Sequence, residues 1–216
     1  MRIGVLGTGV VGRTLATKLA DLGHEVRMGA RDAANEAARE WAASAGPEAS
    51  SGTFADAAGP AELVFNCTAG AVSLQALEQA GDGALRGKVL VDVANPLDFS
   101  RGLPPTMTVC NDDSLGEQIQ RRFPETRVVK ALNTVNHRVM VDPGLVPGQH
   151  DVFVCGDDGE AKAQVVELLE SFGWPSEHVV DLGGIDASRA VEMYLPLWLR
   201  LLQAFGTPDV NVHVAH

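Results

Sequence analysis

The sequence predicts an α/β fold with a doubly wound, mostly parallel sheet and a C-terminal helical extension. Three observations support this fold class. A glycine-rich turn joins the first strand to the first helix, apolar strands and helices alternate after it, and a long apolar helix follows near the C-terminus. Such alternation is typical of a parallel sheet with helices on both faces, which binds ligands at the carboxyl ends of its strands.

The first element is a short apolar strand at residues 2–6, which leads into Gly7, Gly9 and Gly12. These glycines have the spacing of a dinucleotide-binding fingerprint. Gly7 permits a tight turn, Gly9 lets the backbone approach a pyrophosphate, and Gly12 allows the helix to pack closely on the strand. The amides and positive dipole end of the following helix point at the phosphates. This stretch therefore predicts a Rossmann-type nucleotide site, the alternative being a glycine-rich turn without a ligand.

The second strand, at residues 24–28, bears on which dinucleotide binds. Arg31 follows it, about 20 residues after the glycine turn. An NAD site places a carboxylate here to accept the ribose hydroxyls, whereas Arg31 offers a cationic fork for a 2′-phosphate. Asp32 is the competing NAD-type acid, but it comes one residue later, where the chain turns away. The sequence thus favours NADP, and Arg13 is either a second phosphate contact or a solvated side chain.

The remaining elements are assigned from apolar runs, helical periodicity and capping signals. Strands are predicted at residues 50–53, 61–67, 88–93, 127–132, 151–155 and 178–181. Helices are predicted at residues 35–45, 73–80, 115–122, 160–172 and 188–205. Residues 98–111 form the longest loop on the ligand side, and long loops in this position commonly serve a substrate.

A polar cluster follows the strand at residues 127–132, at the same edge of the sheet as the glycine turn. The substrate pocket is accordingly predicted at Asn133, Thr134, Val135, Asn136 and His137. His137 is the one candidate proton donor, the alternative being a residue that only shapes the pocket. No Ser-Tyr-x-x-x-Lys arrangement is visible. This absence favours hydride transfer to a flat redox ring, for which the protein supplies orientation and no certain catalytic residue is predicted.

Composition and charge exclude several classes of protein. The 216 residues carry a net charge of -11 with a pI near 4.9, which opposes a general affinity for nucleic acid or an anionic membrane. Cys67, Cys110 and Cys155 are far apart and lack ligand spacing, so no disulfide framework or zinc site is predicted. Because no signal peptide or membrane span is evident, a cytoplasmic location is expected.

The two histidines near the C-terminus need a separate interpretation. His213 and His216 have a spacing compatible with metal binding. A frayed terminus is the favoured interpretation, and no metal site is predicted.

Two regions are expected along the chain, a nucleotide-binding domain at residues 1–184 and a C-terminal helix and tail at residues 185–216. The helical stretch at residues 188–205 is apolar nearly all the way round, so it must be covered. It either packs on its own domain, as a cover for the substrate pocket, or forms a homodimer interface, and Pro196 is expected to kink it.

Five motifs together carry a resemblance to a known family. They are Gly7-Thr-Gly-Val-Val-Gly12, Gly29-Ala-Arg31, Val129-Lys-Ala-Leu-Asn133-Thr, Val154-Cys-Gly-Asp-Asp158 and Ser188-Arg-Ala-Val-Glu192. Along nearly its whole length the chain resembles the NADPH-dependent coenzyme F420 reductases. The resemblance implies a homodimer in which hydride passes between the nicotinamide of NADP(H) and the deazaflavin F420. The same family includes the cytosolic domains of membrane metalloreductases, which use NADPH with a different flavin.

Position by position, the resemblance also implies a set of cofactor contacts. Gly7, Thr8, Gly9, Val10 and Val11 would hold the pyrophosphate, with Arg31 on the 2′-phosphate. The residues that would line the ribose and nicotinamide are Cys67, Thr68, Ala69, Asn95, Pro96 and Ala131. The chain departs from the family at Ala30, where a Ser is usual, and at Asn133 and Asn136, which replace a His and a Pro in the loop that meets the deazaflavin.

The sequence leaves three functions open. The first is hydride transfer between NADP(H) and F420, and the second is reduction of another flavin, a quinone or an imine by NADPH. The third is an NADP(H)-binding sensor without catalysis. A direct hydride transfer needs no catalytic triad, so the residues alone do not separate these functions.

Overall fold

The computed structural model describes residues 1–215 and contains one main sheet of eight strands. The strands in chain order are β1 Arg2–Leu6, β2 Glu25–Ala30, β3 Ala49–Thr53, β4 Leu63–Asn66, β5 Val89–Asp92, β6 Leu97–Asp98, β7 Thr106–Met107, β8 Arg127–Ala131, β9 Val152–Cys155 and β10 Val179–Asp181. Across the main sheet they run β3-β2-β1-β4-β5-β8-β9-β10, while β6 and β7 form a separate antiparallel pair.

All neighbouring strands of the main sheet are parallel except β8 and β9, which are antiparallel. β1 is the third strand from the β3 edge, between β2 and β4, and the chain builds outwards from it in both directions. In an open α/β sheet, ligands bind at the carboxyl ends of the strands where the strand order reverses. The predicted Rossmann-type, mostly parallel fold is therefore confirmed, and its crevice lies at the end of β1.

Helices cover both faces of the sheet. They are α1 Val10–Asp21, α2 Glu36–Ser44, α3 Phe54–Ala58, α4 Gly70–Ala80, α5 Asp82–Leu85, α6 Leu115–Arg122, α7 His137–Val141, α8 Gly159–Phe172, α9 Ser188–Met193 and α10 Leu195–Phe205. The helices α1, α2, α7 and α8 bury apolar side chains over one face, and α3 to α6 do so over the other. Burial on both faces explains why the central strands are almost wholly apolar.

The C-terminal helical stretch differs from its prediction. It consists of two helices, α9 and α10, that meet at Tyr194, and Pro196 lies in the first turn of α10 rather than inside a kinked helix. A proline suits this position because its missing N–H has no partner in the first turn of a helix.

Two loops also contain more structure than expected. The predicted irregular segment at residues 98–111 includes β7, which pairs with β6. The polar segment at residues 133–137 leads directly into α7, because the Asn136 side chain caps that helix and accepts a hydrogen bond from the amide of Arg138 at 3.1 Å.

A cluster of buried charged side chains joins the sheet to the C-terminal helices. The register pairs Asn66 with Asp92 and Asp92 with Lys130, so the three side chains lie next to one another on the same face of the sheet. Lys130 is fully buried, and its Nζ lies 2.7 Å from Asp92 Oδ2 and 2.7 Å from Glu192 Oε1 of α9. Burial opposes the charge on Lys130, but the two carboxylates outweigh it and raise the pKa of the ammonium group. The cluster therefore holds a buried cation between two anions.

Removing the cation from this cluster should destabilise the protein strongly. Lys130→Met leaves Asp92 and Glu192 buried without their shared partner, and breaking a buried ion pair in this way costs about 3–5 kcal/mol. Urea unfolding would measure the loss. The control, Arg86→Met, removes an exposed ion pair with Glu125 and should change stability by about 1 kcal/mol or less. Equal effects of the two variants would contradict this account of the cluster.

Candidate active site

The turn between β1 and α1 has the geometry that its glycine spacing predicts. Gly7 adopts a φ of +118°, and a Cβ there would lie 2.6 Å from the carbonyl oxygen of Cys67. A Cβ at Gly12 would collide with the carbonyl oxygen of Gly7, because α1 packs directly on the turn. A Cβ at Gly9 would meet no atom within 4 Å. Gly9 also caps α1 without a side-chain hydrogen bond, so the first amides of the helix are left for a ligand.

A cavity of about 630 Å³ opens beside this turn, and we call it the fingerprint cavity. It extends from the glycines to Arg31, which follows the carboxyl end of β2. Asp32 also lines this cavity, and its Oδ1 accepts a hydrogen bond from the amide of Ala34 at 2.8 Å. Asn35 caps α2 by accepting from the amide of Ala38 at 3.0 Å. The exposed Arg31 thus lies beside the N-terminus of α2. A guanidinium group and a helix N-terminus both favour the binding of a phosphate.

A second cavity of about 620 Å³ lies at the carboxyl ends of β4 and β5, and we call it the ring cavity. Its polar groups include Asn95, Asn133, Asn136 and His137. Its apolar walls include Val10, Val11, Val93, Leu97, Phe99, Met140, Leu195, Trp198 and Leu199. An apolar pocket with a few polar groups is typical of a small-molecule site.

The two cavities share a floor made by Cys67, Thr68 and Ala69, directly after β4. Thr68 donates its hydroxyl to Asn66 Oδ1 at 2.6 Å, and Asn66 in turn donates to Asp92 at 2.8 Å. Burial raises the pKa of the Cys67 thiol, which keeps it uncharged. The floor is therefore an uncharged surface, held in place by the hydrogen bonds that run from Thr68 through Asn66 to Asp92.

Two asparagines brace the wall of the ring cavity. Asn95 donates to the carbonyl oxygen of Asn133 at 2.8 Å, and the Asn133 side chain donates back to Asn95 Oδ1 at 3.0 Å. Asn133 also donates to the carbonyl oxygen of Val191 in α9 at 3.0 Å. These bonds join the segments that follow β5 and β8 to each other and to α9 at the cavity.

His137 lies at the first position of α7 and contacts α1. Its Nδ1 is 2.9 Å from Thr14 Oγ1, whose hydroxyl donates to the carbonyl oxygen of Val10 at 2.9 Å. Since that hydroxyl proton is already committed, Thr14 accepts a hydrogen from His137 Nδ1, and Nε2 carries the lone pair. Burial and the neighbouring Arg138 lower the pKa of His137, against a smaller opposite effect from Asp209. At neutral pH the ring is uncharged and Nε2 is an acceptor.

The structure brings most of the predicted site residues together. Gly7, Thr8, Gly9 and Arg31 line the fingerprint cavity, whereas Val10, Val11, Asn95, Asn133, Val135, Asn136 and His137 line the ring cavity. The exceptions are Gly12, Pro96, Ala131 and Thr134, which line neither cavity. Ala131 is fully buried within β8, and Thr134 is 1% exposed.

Some residues that line the ring cavity were not predicted individually from the sequence. Asp98 and Phe99 belong to the long loop that was expected to serve a substrate, and Leu195, Trp198 and Leu199 belong to α10. The only sequence signal for the α10 residues is a large aromatic group on an apolar helix, which fits a core, a cover or an interface equally well.

The C-terminal tail packs on its own domain as far as it is described, contrary to the frayed terminus that was expected. The amide of Asp151 donates to the carbonyl oxygen of Val212 at 2.8 Å, and His213 Nδ1 lies 3.0 Å from Asp151 Oδ2. His216 lies outside the described residues. Among residues 1–215, no helix has the length and apolar character needed to cross a bilayer.

The fold and the glycine turn define a Rossmann-type dinucleotide-binding protein. Residues 2–96 match the family described as NADP oxidoreductase coenzyme F420-dependent. The chain is also 32% identical over 225 residues to the F420-dependent NADP reductase of Methanocaldococcus jannaschii, with 100% of this chain and 99% of the relative covered. It therefore belongs to the F420-dependent NADP reductase family of oxidoreductases, as its motifs predicted.

Two further comparisons extend this result. A crystal structure from Arthrobacter sp. FB24, assigned only provisionally as an F420-dependent NADP reductase, has a TM-score of 0.94 and 53% identity, with both chains fully covered. Metalloreductase STEAP3 of Rattus norvegicus is 30% identical over 209 residues, which are 97% of this chain. The chain spans only 38% of the length of that metalloreductase.

Proposed function

We propose that this chain transfers a hydride between NADP(H) and the deazaflavin F420. The observation that carries the proposal is the junction of the two cavities at Cys67, Thr68 and Ala69. A dinucleotide with its pyrophosphate on the N-terminus of α1 can extend along this floor and place its nicotinamide in the ring cavity. The apolar walls of that cavity suit a second planar ring stacked on the first. The names of the relatives point to the same pair of substrates.

Arg31 supports NADP(H) as the dinucleotide. Arg31 lines the fingerprint cavity after the carboxyl end of β2, the position that contacts the adenosine ribose in fingerprint sites. The Asp32 carboxylate that would favour NAD accepts a hydrogen bond from the amide of Ala34 in a turn. A charge-assisted bond from Arg31 to the 2′-phosphate has no counterpart in NADH.

Arg31→Ala should therefore reduce the preference of the protein for NADPH over NADH. The loss of one charged contact should weaken NADPH binding about ten- to a hundredfold and leave NADH binding nearly unchanged. Calorimetric titration of both cofactors would measure this. Arg39→Ala, which removes an exposed arginine from α2 outside the cavity, is the matched control. Equal dissociation constants for NADPH and NADH in the unsubstituted protein would contradict the proposed role.

The reaction makes few demands on acid–base chemistry. NADPH supplies a hydride from its nicotinamide, and the reduced acceptor takes up one further proton, for which water suffices. The chain aligns the two rings between the Cys67–Ala69 floor and α10 and excludes water from the space between them. His137 presents an acceptor nitrogen at neutral pH, so it shapes the cavity and gives no proton to the acceptor.

Mixing the protein with NADPH and F420 should bleach the deazaflavin absorbance, and His137→Ala should keep most of this activity. We expect the maximal rate of the variant to stay within about tenfold, with a changed Michaelis constant for F420, since general acid catalysis contributes about 10²- to 10⁴-fold where it operates. His24→Ala, remote from both cavities, is the control.

Two outcomes would overturn the assignment. A thousandfold fall in the rate of His137→Ala, with unchanged NADPH affinity, would make His137 a proton donor and the acceptor a carbonyl or imine. NADPH binding without any bleaching of F420 would exclude F420 and leave another flavin, a quinone or a non-catalytic sensor.

We further propose that residues 1–184 act as the nucleotide-binding domain and that α10, within residues 185–216, forms a homodimer interface. One side of α10 lines the ring cavity, but Leu197 is 54% exposed and Phe205 is 69% exposed. Exposed apolar groups of this size on one helix favour association with a second copy. A dimer of this kind would fix the outer wall of the ring cavity.

Leu197→Glu should convert the protein from dimer to monomer, because it places a charge in the proposed apolar interface. Light scattering at micromolar concentration measures the mass directly. Glu40→Gln, on the exposed surface of α2, is the control and should remain dimeric. A monomer mass for the unsubstituted protein would exclude the interface.

A further inference from the structure

Three side chains with metal-binding groups meet where β9 and β10 begin, outside the linings of the two cavities. Asp151 directly precedes β9, His178 precedes β10, and His213 belongs to the C-terminal tail. His178 Nδ1 lies 2.8 Å from Asp151 Oδ1, and His213 Nδ1 lies 3.0 Å from Asp151 Oδ2. One ligand-type atom from each residue lies within 4.8 Å of the others. The cluster gathers three segments that are far apart in the sequence.

We propose that Asp151, His178 and His213 form a zinc site that fastens the C-terminal tail to the sheet. Two imidazole nitrogens and one carboxylate oxygen are a donor set that Zn²⁺ commonly accepts. Ligand atoms about 2.0–2.2 Å from a tetrahedral zinc lie roughly 3.3 Å from one another. The observed separations of 2.8 Å to Oδ1 and 3.0 Å to Oδ2 are a few tenths of an ångström shorter than this, and one ligand-type atom from each of the three residues lies within 4.8 Å of the others.

The surroundings hold the three groups ready for an ion. The Asp151 side chain is only 4% exposed, and the amide of Val214 donates to its Oδ2 at 2.6 Å. Such a bond fixes a carboxylate ligand in the way that outer hydrogen bonds do in known metal sites. The rings of His178 and His213 are 5.8 Å apart and nearly perpendicular, and both point Nδ1 at the same carboxylate. The His213 side chain is 38% exposed, which gives the ion a route from solvent and leaves room for a water as fourth ligand.

The tail that would be fastened is connected to the ring cavity. It follows α10, and Trp198 of α10 donates from Nε1 to the carbonyl oxygen of Val210 at 3.4 Å. Asp209 forms an ion pair with Arg138 of α7 at 3.3 Å, next to His137. A zinc ion at His213 would therefore hold the segment that places Trp198 against the cavity. Its role would be structural, independent of which acceptor the enzyme reduces.

The test is calorimetric titration of ZnCl2 into the full-length, chelator-treated protein, together with thermal unfolding. We expect one zinc per chain, a higher melting temperature with zinc, and no comparable effect of MgCl2 or CaCl2, which prefer more oxygen ligands. His178→Gln and His213→Gln should each weaken zinc binding at least tenfold. Limited digestion with carboxypeptidase should become slower with zinc in the unsubstituted protein and stay unchanged in His213→Gln.

Two controls separate this cluster from other histidines. His24→Gln changes a residue directly before β2 that is not a member of the cluster, and His216→Gln removes the other histidine of the C-terminal tail. Both should bind zinc as the unsubstituted protein does, and circular dichroism confirms the fold of every variant. The proposal is overturned if zinc fails to bind, if His178→Gln and His213→Gln bind it unchanged, or if His216→Gln loses it equally.

Discussion

The buried ammonium of Lys130 is the constraint on which the architecture of this site depends. It contacts Asp92 of β5 and Glu192 of α9, and it donates to the carbonyl oxygen of Ala94 at 2.6 Å. One cation between two carboxylates leaves a surplus negative charge inside the protein. The N-terminus of α6 compensates it, because the amides of Leu115 and Gly116 donate to Glu192 at 2.9 and 3.0 Å. An ion cluster of this kind is tolerated only with every group satisfied, so its members fix the positions of four elements at once.

These fixed positions extend to the ligand cavities. Asp92 accepts a hydrogen bond from the side chain of Asn66, which in turn accepts one from the hydroxyl of Thr68. Thr68 lines both cavities. On its other side, the cluster holds α9 through Glu192, and α10 follows α9 directly. The floor and the outer wall of the ring cavity are thus tied to the same buried cation. The proposed alignment of two rings would require this kind of rigid support, because small displacements of reacting groups reduce the rate steeply.

Local patterns were sufficient to predict the fold. The β1 turn and the strands needed only glycine spacing and apolar runs, and the structure places β1 and α6 at the predicted bounds. The ion pairs of Lys130 with Asp92 and Glu192 could not be predicted in this way. Asp92 and Lys130 are each a single charge at the end of an apolar strand, and Glu192 lies far away in the sequence. Charged residues at the carboxyl ends of two neighbouring buried strands are nevertheless a usable signal, since buried charges are almost always paired.

The C-terminal segment shows why the individual residues of the outer wall could not be predicted, although the segment itself was expected to be a cover or an interface. The apolar pattern of α10 fits a core helix, a cover or an interface, and only tertiary contacts place Trp198 on the ring cavity while leaving Leu197 exposed. The tail that follows is held outside the cavity lining, where Asp151 accepts hydrogen bonds from His178, His213 and the amide of Val214. The segment is therefore anchored at Glu192 before α10 and at Asp151 after it. Because α10 lies between these two anchors, the outer wall of the ring cavity is positioned by contacts that lie outside it.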